Sequence, residues 1–516
     1  MVDYLSNNNE LDIFYNRKLS FNNVNELINE FNKLNSCDRV TLSDTLQRQY
    51  ETFDVSELTS NNINALKETN TYTITTGHQV NLMTGPIYFI YKIASCIKLC
   101  EQLNEKHPKH NFVPIYWMNS EDHDIAEINH FNVFGKKVEW NLNWDGASGK
   151  MPTESLKEGV FNDLKTTLGD SENATSIINV LQKCYLEEPT LEQATFRFVN
   201  HLFGKYGLVV LNQNDRAFKV LAKDLIKAEL LSNANEISVN ETSKELIKAG
   251  YHAQVKPRPL NLFFFSEKGR ERIEKLVDGS YNLVNSLKVF TADELFELVE
   301  TNPENFSFNV VTRALYQQRL LPNLAYIGGG GELAYWLQYK KMFDANKLFF
   351  PSLILRNTIL WVDSGQKQKI NKIGLDNDSL FIDNELLKKY YVKTNTLATL
   401  DLTAEKKQLG SLLEIVKTKA TKVDASLEKM VEAELSKITN QLEKLEAKMI
   451  KAEKRKFETS LNQIDKVKKA LFPNNNLQER QVNFIEIWFK YGLNFIDELI
   501  EVIEPNQEDF TLLFES

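Results

Sequence analysis

Runs of apolar and β-branched residues alternate with helical patterns through the first two thirds of the chain. Residues 71–76 form such a run, and after a glycine turn, apolar residues recur with helical spacing over 87–103. A second apolar run follows at 112–118. A strand, a helix and a strand in this order predict a βαβ unit with parallel strands and a right-handed crossover.

Later segments extend this pattern to an α/β core with a parallel sheet. Further strands are predicted at 207–211, 262–265, 324–327 and 359–362, with a helix over 217–231 between them. The more polar stretches at about 140–192 and 238–308 are interpreted as insertions around the sheet. We therefore assign 1–375 to the core with its insertions, 400–473 to a helical coiled coil, and 474–516 to a return to the core, with a helix over 484–503.

The coiled-coil prediction depends on 411–472, which contains no Gly or Pro. Apolar residues repeat there at alternating spacings of three and four, in two stretches: Leu413, Val416, Ala420, Val423 and Leu427, then Leu435, Ile438, Leu442, Leu445, Met449 and Ala452. The register slips between the stretches, where Asp424 and Ser426 are possible N-caps. Either an antiparallel hairpin forms, or one helix over 424–472, roughly 70 Å long, projects and needs a partner helix, which a second subunit could supply in a homodimer.

Composition and charge exclude several classes of protein. The chain has 516 residues, 42% hydrophobic and 25% charged, which is typical of a folded protein with more than one core. Its net charge of -9 disfavours nucleic acid and anionic membranes as partners. The first residues lack a signal-peptide pattern, and the apolar stretch 86–100 is too short to span a bilayer, so we expect a cytoplasmic protein.

The four cysteines predict neither a disulfide nor a zinc site. Cys37 and Cys184 are isolated, and Cys96 and Cys100 lie one helical turn apart without further metal ligands nearby. We interpret this pair as core packing on an apolar helix face.

The first candidate motif is Thr76-Gly77-His78-Gln79, at the point where a parallel strand is predicted to end. Open α/β sheets bind ligands at this edge, so we expect these residues to bind substrate, with anionic groups favoured. A second small-residue turn, with Thr84 and Gly85, follows and leads into the helix. Two ordinary turns at one helix are the alternative.

The second candidate motif is Glu121-Asp122-His123-Asp124, directly after the second strand. The four side chains are candidate catalytic groups, because such a cluster can supply a general base or orient an imidazole. Asn129 is a further substrate-binding candidate. A divalent metal site and a plain charged loop remain alternatives, although the spacing does not match a helical His-Glu-x-x-His zinc site.

The third candidate motif is a glycine run that follows the predicted strand 324–327 and leads into a helix starting near Glu332. It comprises Gly328, Gly329, Gly330 and Gly331 and is either a tight turn or a phosphate cradle. Glu332 and Gln338 could add polar contacts. Neither the dinucleotide fingerprint nor a P-loop is present.

Taken together, the three motifs resemble the BshC family. The resemblance rests on Thr75 to Lys92, Trp117 to His130 and Gly329 to Gln338, and it extends to the coiled coil and to the Leu477-Gln-Glu-Arg480 segment. It implies a Rossmann-like core, a dimerising coiled coil, and ligation of cysteine to glucosaminyl-malate in the last step of bacillithiol biosynthesis. It also suggests ATP or another nucleotide as the energy source. We expect no metal.

The resemblance leaves roles open within the site. Asp122 or His123 would orient or deprotonate the amine, and His78 and Gln79 would bind anionic groups. The nucleotide would lie at the glycine run or in a second pocket near Arg480, and the intermediate is an acyl phosphate or an adenylate. Alternative functions are a metal-dependent hydrolase or deacetylase that acts on a sugar conjugate, and a non-catalytic coiled-coil scaffold.

Overall fold

The computed structural model describes residues 1–34, 37–396, 401–505 and 509–515. The chain divides into two compact units, Met1–Ile359 with Glu479–Thr511, and Leu360–Gln478 with Leu512–Ser516. The predicted domain limits at residues 400 and 516 lie outside the described residues. No helix in the described part of the chain is both long enough and apolar enough to cross a membrane.

Fourteen strands are present in the described residues. They are β1 Thr71–Gln79, β2 Asn111–Asn119, β3 His130–Val133, β4 Lys136–Glu139, β5 Val209–Asn212, β6 Leu262–Ser266, β7 Gly269–Lys275, β8 Tyr281–Leu283, β9 Val289–Phe290, β10 Phe306–Phe308, β11 Asn323–Gly328, β12 Ser352–Leu355, β13 Ile359–Val362 and β14 Thr511–Phe514.

The α-helices of the described residues number twenty-three. They are α1 Val2–Leu5, α2 Val24–Leu34, α3 Arg39–Tyr50, α4 Glu57–Ala65, α5 Tyr88–Lys106, α6 Ile125–Ile128, α7 Val160–Leu168, α8 Glu172–Tyr185, α9 Leu191–Phe203, α10 Arg216–Leu221, α11 Lys223–Leu231, α12 Ala234–Lys248, α13 Ala292–Thr301, α14 Arg313–Leu320, α15 Gly330–Trp336, α16 Lys340–Ala345, α17 Ser364–Ile373, α18 Asn384–Asn395, α19 Thr403–Val423, α20 Leu427–Lys454, α21 Glu458–Leu471, α22 Ile485–Tyr491 and α23 Asn494–Val502.

The core of the first unit is a five-stranded parallel sheet in the order β12-β11-β1-β2-β5. The chain adds β2 and β5 on one side of β1, and later adds β11 and β12 on the other. The strand order therefore reverses between β1 and β11, which is the position where open α/β sheets form a ligand crevice. The predicted α/β core is confirmed.

Burial explains why these strands form the centre of the unit. Eight of the nine residues of β1 are buried, and α5 packs its apolar side chains against β1 and β2. Cys96 and Cys100 belong to this hydrophobic cluster together with Ile74 and Phe112, as expected for core cysteines. Strands buried on both faces are typical of parallel sheets.

Two of the predicted strands do not join this sheet. Residues 262–265 lie in β6, which pairs antiparallel with β7 and β10 in a second sheet of order β10-β6-β7-β8-β9. The reason is local: the tight turn at Glu267 and Lys268 returns the chain at once, with Gly269 at a φ of 96°. Residues 359–362 form β13, which also lies outside it, and the unpredicted β12 is the edge strand.

Two predicted helices are interrupted. The helix over 217–231 is broken at Ala222 into α10 and α11, and the helix over 484–503 is broken after Tyr491 into α22 and α23. Gly492 adopts a φ of 74° at the second break, which glycine tolerates without strain.

The second unit contains the helical hairpin α19–α20. Asp424 leaves the helix with a φ of -155°, and its side chain accepts a hydrogen bond from the backbone N–H of Ser426 at 2.8 Å. Lys406 pairs with Glu446 and Lys417 with Glu432, so the two helices run in opposite directions. The antiparallel hairpin is confirmed, and the single long helix is wrong.

Candidate active site

A cavity of about 760 Å³ lies at the carboxyl ends of β1, β2 and β11 in the first unit. One wall consists of Gly77, His78 and Gln79 of β1, and the antiparallel sheet contributes Phe263 and Arg270 opposite it. The cavity thus occupies the point where the strand order reverses, and the inserted sheet covers it. This is the strongest candidate for the active site in the described residues.

The first motif reaches the cavity, but as a strand and not as a turn. Pairing of β1 with β2 continues to the end of the motif, with Gly77 beside Trp117 and Gln79 beside Asn119. The chain turns only afterwards, where Met83, Thr84 and Gly85 all have positive φ. The predicted turn at 76–79 is therefore wrong.

His78 is buried and uses both ring nitrogens within the protein. Nδ1 lies 3.1 Å from the carbonyl oxygen of Gln79, and Nε2 lies 3.2 Å from the hydroxyl of Tyr88. Because a carbonyl only accepts, Nδ1 carries the hydrogen and Nε2 accepts from Tyr88. Burial, together with nearby Lys92, lowers the pKa of His78 to about 3, so the ring is neutral.

Gln79 links the ends of β1 and β2. Its side-chain amide donates to Asp122 Oδ2 at 2.7 Å and to Glu127 Oε2 at 3.0 Å. Burial would raise the pKa of Asp122, but the bond from Gln79 and the charge of Arg270 outweigh it and leave that pKa lowered. Asp122 and Glu127 thus form a pair of carboxylates at the cavity, suited to binding an ammonium group.

The neighbours of Asp122 in the second motif differ sharply in environment. Glu121 is 2% exposed, forms an ion pair with Lys219 at 2.5 Å, and accepts a hydrogen bond from Ser307 at 2.8 Å. Asp124 is exposed and does not line the cavity. The cluster therefore separates into a structural carboxylate, two cavity-facing groups and a solvated one.

His123 contacts the inserted sheet. Its Nδ1 lies 3.0 Å from Nη1 of Arg270, and its ring packs against Phe263 at 5.4 Å between ring centroids. Burial and the charge of Arg270 lower the pKa of His123 below the ordinary value of 6.5.

The glycine run forms the third part of the cavity wall. β11 ends at Gly328, and α15 begins at Gly330, earlier than the predicted start near Glu332. Lys92 donates to Glu332 at 2.7 Å and to the carbonyl oxygen of Gly77 at 2.6 Å, and Glu332 also accepts from Tyr326. The Lys92–Glu332 pair thus joins β1 to the start of α15.

Positive charge dominates the cavity. Eight lysine and arginine side chains line it, against four aspartate and glutamate side chains. Arg313 and Arg356 are 7% and 5% exposed, yet Nη1 of the first and Nε of the second are buried and make no hydrogen bond within the described part of the chain. Buried donors without partners favour an anionic ligand with carboxylate or phosphate oxygens.

The structure does not bring every candidate residue to the cavity. The cavity lining includes the candidates Gly77, His78, Gln79, Glu121, Asp122, His123, Gly329, Gly330, Gly331, Glu332 and Arg480, and it does not include Thr76, Thr84, Gly85, Asp124, Asn129, Gly328 or Gln338. Gln338 instead is fully buried, and its side chain accepts from the backbone N–H groups of Gln254 and Val255. It holds in place the segment that leads to Lys256 and Arg258 in the cavity wall.

Sequence reasoning missed the cavity residues Lys92, Tyr88, Arg270, Arg313 and Arg356. Lys92 had a signal, since a lysine within the apolar pattern of α5 needs a buried partner. Arg270 and Arg313 had none, because their positions depend on how the inserted sheet and α14 pack over β1 and β2. Arg356 directly follows β12, a strand that the sequence did not predict.

The alternative metal site requires Asp122, His123 and Asp124 as joint ligands. In the described residues, no group of three or more His, Cys, Asp or Glu side chains is arranged to hold a metal ion. Nδ1 of His123 faces a guanidinium, which repels a cation.

Comparison with known proteins identifies relatives over nearly the whole chain. Residues 1–357 match the family described as "Bacillithiol biosynthesis BshC, N-terminal Rossmann-like domain", and residues 359–515 match its C-terminal coiled-coil domain. Relatives named "Putative cysteine ligase BshC" include those of Flavobacterium psychrophilum, 41% identical, and Christiangramia forsetii, 40% identical, with 99% of this chain and 96% of each relative covered. The relative of Chlorobaculum tepidum is 30% identical, over 92% of this chain and 89% of its own.

Proposed function

The chain belongs to the bacillithiol biosynthesis BshC family, and from that premise we propose that it is a ligase that joins cysteine to glucosaminyl-malate. The bond formed is an amide between the cysteine carboxyl carbon and the amine of the sugar, in the last step of bacillithiol biosynthesis. The names of the relatives support the cysteine, and the chemistry of the cavity supports the amide bond.

One observation carries this proposal: the cavity presents carboxylates and, in the same space, guanidinium N–H donors that have no partner within the described residues. Asp122 and Glu127 suit a positively charged amine. Nη1 of Arg313 and Nε of Arg356, whose other end pairs with Glu479, suit a carboxylate or phosphate. A ligase that forms an amide must hold an amine and an activated carboxyl group together, and holding them in place removes most of the entropic barrier.

A nucleotide is proposed as the co-substrate, because forming an amide from a free carboxylate in water is uphill. The carboxylate oxygen of cysteine would attack a phosphorus atom of ATP and release ADP or pyrophosphate. The amine would then attack the activated carbon and release phosphate or AMP.

The test is incubation of the full chain with cysteine, glucosaminyl-malate and ATP, with bacillithiol and the nucleotide product as the two measurements. ADP indicates an acyl phosphate and AMP an adenylate. Asp122→Asn should reduce kcat by about 10²- to 10⁴-fold if Asp122 handles the proton of the amine. Asp124→Asn is the matched control, since Asp124 is exposed and outside the cavity lining. Equal activity of the two variants would contradict the assignment.

We also propose that the hairpin α19–α20 joins two copies of the chain. Three apolar side chains of the hairpin are each 57–58% exposed: Leu412, Ile415 and Met430. Exposed apolar side chains on one helix pair favour a protein–protein contact there. Leu412→Glu with Ile415→Glu should convert a dimer to a monomer by light scattering. The proposal is refuted if the protein without substitutions is a monomer, or if the double variant is still a dimer.

A further inference from the structure

Arg270 is the contact through which the inserted antiparallel sheet reaches the second motif. It is 8% exposed, and its three guanidinium nitrogens have separate partners. Nε donates to the hydroxyl of Ser307 at 2.9 Å, Nη2 donates to the carbonyl oxygen of Phe308 at 2.9 Å, and Nη1 lies 3.0 Å from Nδ1 of His123. The first two hydrogen bonds fix the orientation of the guanidinium, so the direction of Nη1 towards His123 is also fixed.

This geometry decides which nitrogen of His123 carries the hydrogen. A guanidinium has donors only, so Nδ1 of His123 must be the acceptor and carries no hydrogen. The single hydrogen of the neutral ring then lies on Nε2. His123 is left with a donor at one nitrogen and an occupied lone pair at the other, so it has no free site to accept a proton.

Asp122 is the adjacent group that retains free acceptor capacity at the cavity. Its side chain is 35% exposed. Oδ2 accepts one hydrogen bond from Gln79, and Oδ1 accepts one from the backbone N–H of His123 at 2.8 Å. Each carboxylate oxygen accepts up to two hydrogen bonds, so a lone pair on each oxygen remains.

We propose that Arg270 is a positioning residue that holds His123 as an Nε2–H donor, so that Asp122, and not His123, takes the proton of the attacking amine. This inference rests on the proposed ligase function. The amine nitrogen bonds to the activated carbon, the C=O electron pair moves to oxygen, and Nε2–H of His123 donates to that oxygen. Asp122 accepts the proton from nitrogen, the C=O bond re-forms, and the bond to the phosphate or AMP leaving group breaks.

The charges around His123 agree with this assignment. Arg270 and Arg272 of β7 face it from the inserted sheet, Asp122 and Asp124 come from its own loop, and the Phe263 ring of β6 packs against it. Burial and the two arginines lower the pKa of His123, and the two aspartates oppose them less strongly. Because its pKa lies below the ordinary value of 6.5, the ring is mainly neutral at pH 7.5.

The first experiment reads the hydrogen directly and needs no substrate. Nitrogen-15 NMR of the imidazole groups in the full chain distinguishes the two neutral forms and the charged form. At pH 7.5 we expect Nε2–H for His123 and the opposite form, Nδ1–H, for His78, with each signal assigned by its loss in His123→Gln or His78→Gln. Nδ1–H or a charged ring at His123 would overturn the proposal, whether or not the ligase function holds.

The second experiment removes the donor. In Arg270→Met, His123 should titrate at a higher pH than in the unchanged protein, because one cause of its lowered pKa is removed, and its neutral signal should show a mixture of both forms. Arg270→Lys should restore Nε2–H, because an ammonium group also only donates. Arg272→Met, two residues along the same strand, is the matched control: it removes a nearby charge but no bond to His123, so the neutral ring should keep Nε2–H. An unchanged His123 signal in Arg270→Met would overturn the proposal.

Kinetics then test the role in the reaction. We expect Arg270→Met to lower kcat roughly tenfold, as part of the Nε2–H population is lost, with little change in KM. Arg270→Lys should recover most of the rate. A purely structural role predicts instead that thermal stability and both kinetic constants deteriorate together in both variants. If Arg270→Met fails to fold, the NMR spectrum of the unchanged protein and Arg270→Lys still decide the matter.

Discussion

The ion pairs beneath the cavity and those along the helical hairpin use the same residue types in opposite environments. The side chains of Lys219 and Glu121 are 0% and 2% exposed, whereas those of Lys417 and Glu432 are 21% and 55% exposed. Water cannot reach the charges of the first pair, whereas it can hydrate those of the second. Burial, and not the number of charged contacts, therefore decides which pairs fix the structure.

This difference also separates roles within the cavity. Glu121, Glu332 and Glu479 are committed to Lys219, Lys92 and Arg356, and these pairs hold the wall in shape. Arg313 is equally buried, but its Nη1 makes no hydrogen bond within the described part of the chain. Buried charge with a partner indicates structure, and buried charge without one indicates a ligand.

The largest expected effect follows from breaking a buried pair. Lys219→Met leaves Glu121 buried and unpaired, which should cost about 3–5 kcal/mol in the free energy of unfolding. Burial disfavours an unpaired carboxyl group only while it is ionised, so the loss should grow as the pH rises above the ordinary glutamate pKa of about 4.3. Urea unfolding at pH 5 and 8 measures both effects.

The double variant Lys219→Met with Glu121→Gln is the control for this prediction. It removes both charges while an amide oxygen can still accept from Ser307, so it should regain much of the lost stability and lose the pH dependence. A double variant as unstable as the single one would show that lost packing, not an unpaired charge, is the cause.

A smaller effect is expected where one donor of the buried charge has no partner. Arg313→Met should lower the free energy of unfolding less than Lys219→Met does, because Glu332, which attracts the charge of Arg313, keeps its ion pair with Lys92. It should raise KM for the anionic substrate about 10- to 100-fold, the equivalent of about 1.5–3 kcal/mol for a hydrogen bond to a charged group.

Arg319→Met provides the matched control for this prediction. Arg319 lies on the same helix, pairs with Asp224 and does not line the cavity. Its replacement should leave KM unchanged. A KM shift in both variants would indicate a general effect of α14, and an unchanged KM in Arg313→Met would remove Arg313 from the binding site.

The third effect concerns a buried group that is held neutral. The pKa of His78 is lowered to about 3 in the folded state, so its contribution to stability is present above pH 6.5 and is lost as the pH falls towards 3. The free energy of unfolding should fall by up to about 1.4 kcal/mol per pH unit in that range from this group alone.

His78→Gln should remove that slope, because glutamine does not titrate while its side-chain oxygen can still accept from Tyr88. Urea unfolding at pH 7.5 and 5.5 compares the slopes. Equal slopes in the two proteins would mean that His78 is not held neutral by burial.

Local patterns predict the sheet edge well, because each motif directly follows or ends an apolar strand. The carboxyl ends of parallel strands meet at one edge, and Gln79, Asp122 and Gly329, each at or just after such an end, all line one cavity. The turn at 76–79 was misplaced because a glycine within a strand looks the same in sequence as a glycine after it. Only the pairing of Gly77 with Trp117 distinguishes the two.

The cavity wall opposite this sheet edge could not be predicted from the sequence. Residues 238–308 appeared as a polar insertion, yet β7 brings Arg270 onto His123. Glu121 and Asp122 are adjacent and chemically alike, and only Lys219, far along the chain, makes one of them structural. Such roles arise from contacts between distant segments, which no local pattern contains.

The smallest effect is expected on the hairpin. Lys417 pairs with Glu432 at 2.6 Å and with Glu428 at 3.0 Å, and all three side chains are partly exposed. Water and salt screen such pairs, so Lys417→Ala should change the free energy of unfolding by only about 0.2–1 kcal/mol, and the change should shrink further in 0.5 M salt. Urea unfolding at low and high salt measures this. A loss as large as that of Lys219→Met would mean that exposed and buried pairs contribute alike, and the distinction drawn between the two regions would fail.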